Sequence, residues 1–208
     1  MSARTDILKG IREALGAERG PDLPVNRDYR TSLGLDHEAK VDLFIDRLLD
    51  YNATVYRTTP DLIAGTVREA LQARGKSGLV IPPGLPAGWL PEGPRFVVDR
   101  DLDYDTLDAA EGALTASTAA IAFTGSIILT HSEAEGRRAI SLIPDYHLCV
   151  VFESSIRETV PEALRALQDR RTCPITTIAG PSATADIEMM RVKGVHGPRT
   201  LDVIIVAG

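Results

Sequence analysis

Two stretches near the C-terminus gather side chains that could do chemistry: 180-GPSATADIE-188 and 194-GVHGPR-199. Ser182 and Thr184 offer hydroxyls, Asp186 and Glu188 carboxylates, His196 an imidazole that titrates near neutral pH, and Arg199 a guanidinium able to clamp a carboxylate at two points. Gly180 and Pro181 form a turn out of the preceding apolar segment, and Ser182 is placed to cap a helix over 183–192. The free N–H groups of that first turn, with the positive end of the helix dipole, suit a carboxylate or a phosphate. Gly194 and Gly197 permit backbone conformations closed to other residues. The plainer reading is a well-capped helix with Asp186 and Glu188 favouring its dipole, His196 bonded to a carbonyl and Arg199 paired with an acid. Spacing alone leaves both readings open.

A second small-residue turn, Thr124-Gly125-Ser126, precedes an apolar strand and either brings backbone N–H groups to a ligand or simply reverses the chain. Asp145 and His147 lie two apart on a strand, with His131 as a further candidate, but no third metal ligand follows from spacing. Arg137 and Arg138 suit a solvated loop face or a lid over an anion. The familiar nucleotide signatures, GxGxxG after a strand and GxxxxGK[ST], are absent, as is the GxSxG nucleophile elbow. No cofactor is therefore assigned.

These residues must be positioned by the rest of a 208-residue chain, a length that suits one domain carrying a helical arm. Such a chain buries roughly 70% of its unfolded surface and needs no staples. A net charge of −6 argues against nucleic acid and anionic membranes as partners. The two cysteines, Cys149 and Cys173, cannot supply four thiolates to a cluster or a structural zinc, and read as buried free thiols in a reducing compartment. Charges interrupt the N-terminus where a signal peptide needs an apolar core, and no run of 18 apolar residues spans a membrane. The expected location is the cytoplasm.

Ile7, Leu8, Ile11 and Leu15 mark an amphipathic helix over 5–17, followed by an extended connector to about residue 35. So short a helix cannot bury its stripe alone; it must dock on the main body, on a second copy of the chain or on another protein. The division is a 1–35 arm and a 36–208 domain. Within the domain Asp36 caps a helix over 37–51 with the stripe Val41, Phe44, Ile45, Leu48 and Leu49. Thr59-Pro60 opens a helix to about Arg74, and Thr159-Val-Pro-Glu162 opens another. Strands are expected at 53–57, 77–81, 95–99, 111–115, 126–130, 147–153, 174–180 and 201–207, with a short helical turn between the fourth and fifth, a long irregular Pro- and Gly-rich loop over 82–94 and a polar loop over 131–141. Strands alternating with helices indicate an α/β fold, a mostly parallel sheet with helices on both faces. The runs LVI, CVV and VIIV are apolar on both faces, as strands of such a sheet should be.

GPSATADIE, then GVHGPR before an apolar C-terminal strand, with AIAFTGSIIL upstream, resembles the lactate utilization protein C family, whose shared domain is the lactate-utilization (LUD) domain. The likeness covers roughly 36–208, and the N-terminal helix also fits. It implies a fold similar to the ribose-5-phosphate isomerase, glucosamine-phosphate deaminase and CoA-transferase-like proteins. It implies a part in oxidising L-lactate to pyruvate beside two iron–sulfur partner proteins, this chain being the component without a cluster. Two positions depart from the pattern: Phe123 stands where many members carry Glu, and Ala183 where many carry a basic residue. No catalytic residue transfers. Three roles follow: a lactate-oxidising assembly's component, a stand-alone enzyme on a small carboxylate or phosphorylated metabolite, and a sensor or scaffold docking through its arm.

Overall fold

A computed structural model of the chain describes residues 3–16, 24, 26, 28–170, 172–184, 192–193 and 197–208. Two compact units divide it, residues 1–30 and 31–208. In the first, α1 spans Ala3–Leu15, close to the span its periodicity predicts, and Ile7, Leu8, Ile11 and Leu15 are all exposed.

The second unit begins with a segment that is tied down. The Glu158 carboxylate accepts from the Ser32 hydroxyl and from the N–H groups of Leu33, Gly34 and Leu35, and the Thr159 hydroxyl donates to the Thr31 carbonyl. Residues 31–35, which sequence reading assigned to the connector, thus belong with the domain. The Ser32 hydroxyl and these N–H groups hold the Glu158 carboxyl below its ordinary value. A carboxyl lowered by folding stabilises above its unfolded value and loses that contribution as pH falls through the folded one. Acidification below the ordinary carboxylate range is therefore expected to release 31–35 first. Amide exchange at Leu33, Gly34 and Leu35 should accelerate before that of the core strands; protection that persists with the core would rule the anchor out.

The domain then runs α2 His37–Asp50, β1 Thr54–Thr58, α3 Ile63–Ala73, β2 Gly78–Ile81, β3 Arg95–Val98, α4 Tyr104–Asp108, β4 Ala113–Thr115, β5 Ala119–Ile121 and β6 Ser126–Leu129. It continues with α5 Arg138–Leu142, β7 Tyr146–Phe152, β8 Ile156–Arg157, α6 Val160–Ala166, β9 Thr176–Ile178, β10 Ala183–Thr184, β11 Val192–Lys193 and β12 Thr200–Val206. The caps read from sequence are in place: Asp36 accepts from the Ala39 N–H, and Thr159 from that of Glu162. Thr59 opens a short 3-10 turn, Pro60–Leu62, before α3, and its hydroxyl goes to Asp61 instead of the backbone.

Six strands form a parallel sheet in the order β1-β12-β7-β4-β2-β3. Period-two alternation sends Leu148, Val150, Ile204 and Val206 to one face, against Ile63, Val67 and Leu71 of α3. Cys149, Val151, Val203 and Ile205 face the other side, against Val41, Phe44 and Leu48 of α2. That second face is also covered by a small sheet in the order β8-β5-β6-β9, through Ala120, Ala122, Ile127 and Leu129. The mostly parallel α/β sheet is as expected; the second sheet is an addition.

Several local expectations give way. The helical turn expected between 115 and 126 is β5, which pairs antiparallel with β6 through Ala119↔Ile128 and Ala120↔Ile127. Alanine favours helix more than any other residue, but tertiary context overrides that preference, and here its small side chains fit between two sheets. The 131–141 loop contains α5, whose Ile140 is buried beside Val80 and Leu107. Cys149 is buried, but Cys173 is exposed. The helix expected over 183–192 has no helical end: Ala183 pairs with Lys193 and Thr184 with Val192 in a short antiparallel ladder. β-branched Thr184 and Val192 favour that pairing, and the Ser182 N–H, meant to begin a helix, donates to the Pro198 carbonyl at 2.7 Å. Among the described residues there is no helix N-terminus at Ser182 to bind an anion.

Candidate functional site

A cavity of about 240 Å³ opens where α5, the first residues of β7 and β12, β9 with the loop after it, and the Gly197-Pro198 turn meet. Of the sequence-predicted residues, Gly180, Ser182 and Gly197 line it. The Ser182–Pro198 hydrogen bond joins the two motifs, and Gly180-Pro181-Ser182 and Gly197-Pro198 lie side by side in the cavity wall. Gly180 has φ +76°, and a Cβ there would lie 2.5 Å from the Cβ of Tyr51 at the end of α2. The site therefore demands glycine for conformation and for space. Thr184 is described only as backbone in β10, while Asp186, Glu188 and His196 lie outside the described residues.

Other candidates fall elsewhere. Thr124, Gly125 and Ser126 make the β5–β6 reversal and do not line the cavity. The Thr124 hydroxyl donates to the Ser126 oxygen at 2.8 Å, and Gly125, at φ +62°, lets the turn press on α2, where a Cβ would sit 2.6 Å from that of Arg47. Arg199 pairs with Asp145, Nε to Oδ1 at 3.2 Å, with the two side chains 63% and 60% exposed. So open a pair is screened by water and contributes little. Both His131 nitrogens are occupied, Nδ1 by the Gly136 carbonyl and Nε2 by the Thr176 hydroxyl. With Asp145 and His131 engaged in this way, the metal grouping suggested by spacing does not assemble, and no set of three metal-binding side chains occurs among the described residues. Arg137 is no lid: its guanidinium grips both oxygens of the Asp99 carboxylate and the Leu102 carbonyl.

The cavity brings in three side chains that local motifs do not flag as a group. Arg138 and Ser141 come from α5, and Thr176 from β9. Only the packing of the small sheet against the large one places them together. Beneath them lies His147, which is 1% exposed. Its Nε2 is 2.8 Å from the Thr115 hydroxyl, and its Nδ1 has no partner among the described residues. Burial lowers the imidazole to about 4, so it is neutral at neutral pH. Burial likewise pushes the neighbouring Cys149 thiol up to about 12, which leaves it without a thiolate to act as nucleophile. The site thus combines one exposed cation, hydroxyls and a neutral buried imidazole. Such a set has the chemistry to hold a small anion.

The LUD domain model matches residues 93–206, which include β3 to β12 and every residue lining the cavity. The chain is 40% identical to Lactate utilization protein C of Deinococcus radiodurans over 207 residues, covering 98% of this chain and 95% of that protein. It is 30% identical to Lactate utilization protein C of Bacillus velezensis, covering 96% and 94% of the two chains. A crystal structure of a DUF162 family protein from Deinococcus radiodurans superposes with a TM-score of 0.72 at 36% identity, covering 84% of this chain and 99% of that one. These likenesses agree: the chain belongs to the LUD domain family.

Proposed function

We propose that this protein acts in lactate utilization as the component without a cluster, holding a small carboxylate while iron–sulfur partner proteins take the electrons as L-lactate becomes pyruvate. One observation carries the reading: the cavity sets Arg138, which has no partner among the described residues, beside the buried polar His147 within a domain whose relatives are named for lactate utilization. Arg138 meets the carboxylate, and the Ser182 and Ser141 hydroxyls and the Gly180 and Gly197 backbone shape the wall around it. Two cysteines, one buried and one exposed, leave cluster chemistry to other chains. The exposed apolar stripe of α1 supports a docking role for the first unit, on such a partner or on a second copy of the chain.

The test is genetic and biochemical. A deletion strain should fail to grow on L-lactate as sole carbon source and recover with the full chain. The tagged chain should co-purify with iron–sulfur proteins, and removal of residues 1–30 should abolish that association while thermal unfolding of the remainder stays cooperative. Normal growth together with no association would overturn the proposal and favour a stand-alone enzyme or sensor on a small carboxylate or phosphorylated metabolite.

A further inference from the structure

The His131 ring joins two walls of the cavity. It stands in the loop after β6 at φ +57°, a conformation uncommon for a residue with a Cβ. Its Nδ1 is 2.9 Å from the Gly136 carbonyl, two residues before Arg138, and its Nε2 is 2.9 Å from the hydroxyl of Thr176 on β9. Thr176 lines the cavity, and alternation along β9 puts its side chain on the same face as Ile178, which packs toward the large sheet. A carbonyl only accepts, so Nδ1 carries a proton whatever the charge of the ring. In the neutral ring that is the sole N–H. Nε2 is then a bare acceptor, and the one proton of the Thr176 hydroxyl is committed to it. In the charged ring Nε2 donates as well, the Thr176 oxygen accepts, and the hydroxyl proton is free to turn into the cavity.

A carboxylate only accepts hydrogen bonds. Thr176 therefore offers it no proton while the ring is neutral and a donor once the ring is charged, and the positive ring adds its own attraction. We propose that His131 is a positioning residue of this cavity: it takes up a proton from solvent when a small carboxylate binds at Arg138, and so turns the Thr176 hydroxyl from a donor to the ring into a donor to the ligand. The inference rests on the carboxylate-binding reading above. Histidine is the side chain whose ordinary charge change lies between pH 5 and 8. Around the ring stand Glu133 and Glu135 of its own loop, Arg137 and Arg138 at the start of α5, and Arg170, which donates to Thr130. Arg137 is committed to Asp99, and Glu135 to the N–H groups of Thr130 and Ser132 and the hydroxyl of Thr118. Carboxylates and guanidinium groups ordinarily titrate outside the range between pH 6 and pH 8, so these set a fixed field. His147, lowered by burial to about 4, does not titrate there either.

Calorimetric titration of the full chain with L-lactate at pH 8, 7 and 6 tests this. Proton and carboxylate must strengthen each other's binding by the same factor, so affinity should rise about tenfold from pH 8 to pH 6. Titration at pH 7 in HEPES and in Tris, which differ in ionisation heat, should show protons taken up. His131→Asn tolerates the positive φ and keeps an N–H for Gly136 but has no charge to gain, so it should flatten the pH dependence. The imidazole 15N shifts of the wild-type chain at pH 7 give a second reading that needs no variant. Nδ1 should be protonated with and without L-lactate, and Nε2 should gain its proton on saturation. Equal affinity at each pH, a pH dependence that survives His131→Asn, or an unprotonated Nδ1 overturns the proposal and leaves carboxylate binding in place. Failure of L-lactate to bind at any pH removes both. Growth on lactate and co-purification decide the role in lactate utilization separately.

Discussion

Replacing Asp202 with alanine is expected to cost about 3–5 kcal/mol of stability. The carboxylate is fully buried in β12, where Arg74 grips it through Nε at 3.0 Å and Nη2 at 2.6 Å, and where the Tyr146 hydroxyl donates to it at 3.0 Å. Asp202 raises the Arg74 guanidinium chiefly by that hydrogen bond. The Tyr146 phenol is raised by its burial first and by the neighbouring carboxylate second. Alanine removes the common partner and strands both groups, one of them inside the protein. Arg74 is 34% exposed and can turn part of its guanidinium to water, so Asp202→Asn, which keeps the shape and one acceptor, should lose about half as much. Denaturant unfolding at neutral pH gives the two differences directly. A loss below about 1 kcal/mol for the alanine variant would mean the trio contributes no more than a surface pair.

The second large effect belongs to α2. Phe44→Ala should destabilise by about 3–5 kcal/mol, because the ring is wholly buried between the two sheets and its removal leaves a void among Leu48, Ala120, Ile127 and Val203. Leu49→Ala on the same helix should fall within about 0.5 kcal/mol, since that side chain is 55% exposed. Both variants can be unfolded side by side by heat or urea. Similar losses at the two positions would show that the face of α2 is misassigned.

That contrast also marks what sequence can and cannot supply. The stripe Val41, Phe44, Ile45, Leu48 and Leu49 was legible as one face of a helix, because periodicity reports which side is apolar; it does not report where the covering layer ends, and Leu49 lies beyond it. Asp36 and Thr159 were legible because a cap is settled within four residues. The runs LVI, CVV and VIIV in β2, β7 and β12 were legible because those stretches are covered on both faces and are apolar throughout, although His147 and Asp202 flank two of them. The small sheet was legible only in part. Strands expected over 126–130 and 174–180 are β6 and β9, but β5 is short and Ala-rich, β8 has two residues, and the pairing that makes them one sheet joins positions far apart in the chain, such as Leu129 with Thr176. Ser182 shows the same limit: its helix-cap signal is local, while the Pro198 carbonyl that takes its N–H lies beyond any local window. For the site, Gly180, Ser182 and Gly197 could be read from the motifs. Arg138 and His147 were visible only as isolated residues, because α5 and β7 converge with β9 only in three dimensions.

The order of the large sheet has a consequence for how the protein is made. β12 is threaded between β1 and β7, which means both of its neighbours emerge from the ribosome before it does. Until residues 200–206 are free, β1 has no partner in the sheet and β7 keeps one bare edge, each offering unpaired amides and carbonyls to any other strand nearby. Completion of this sheet therefore waits on β12: the slot between β1 and β7 stays open until that strand emerges and closes by a long-range step, the kind that is slow and most exposed to aggregation.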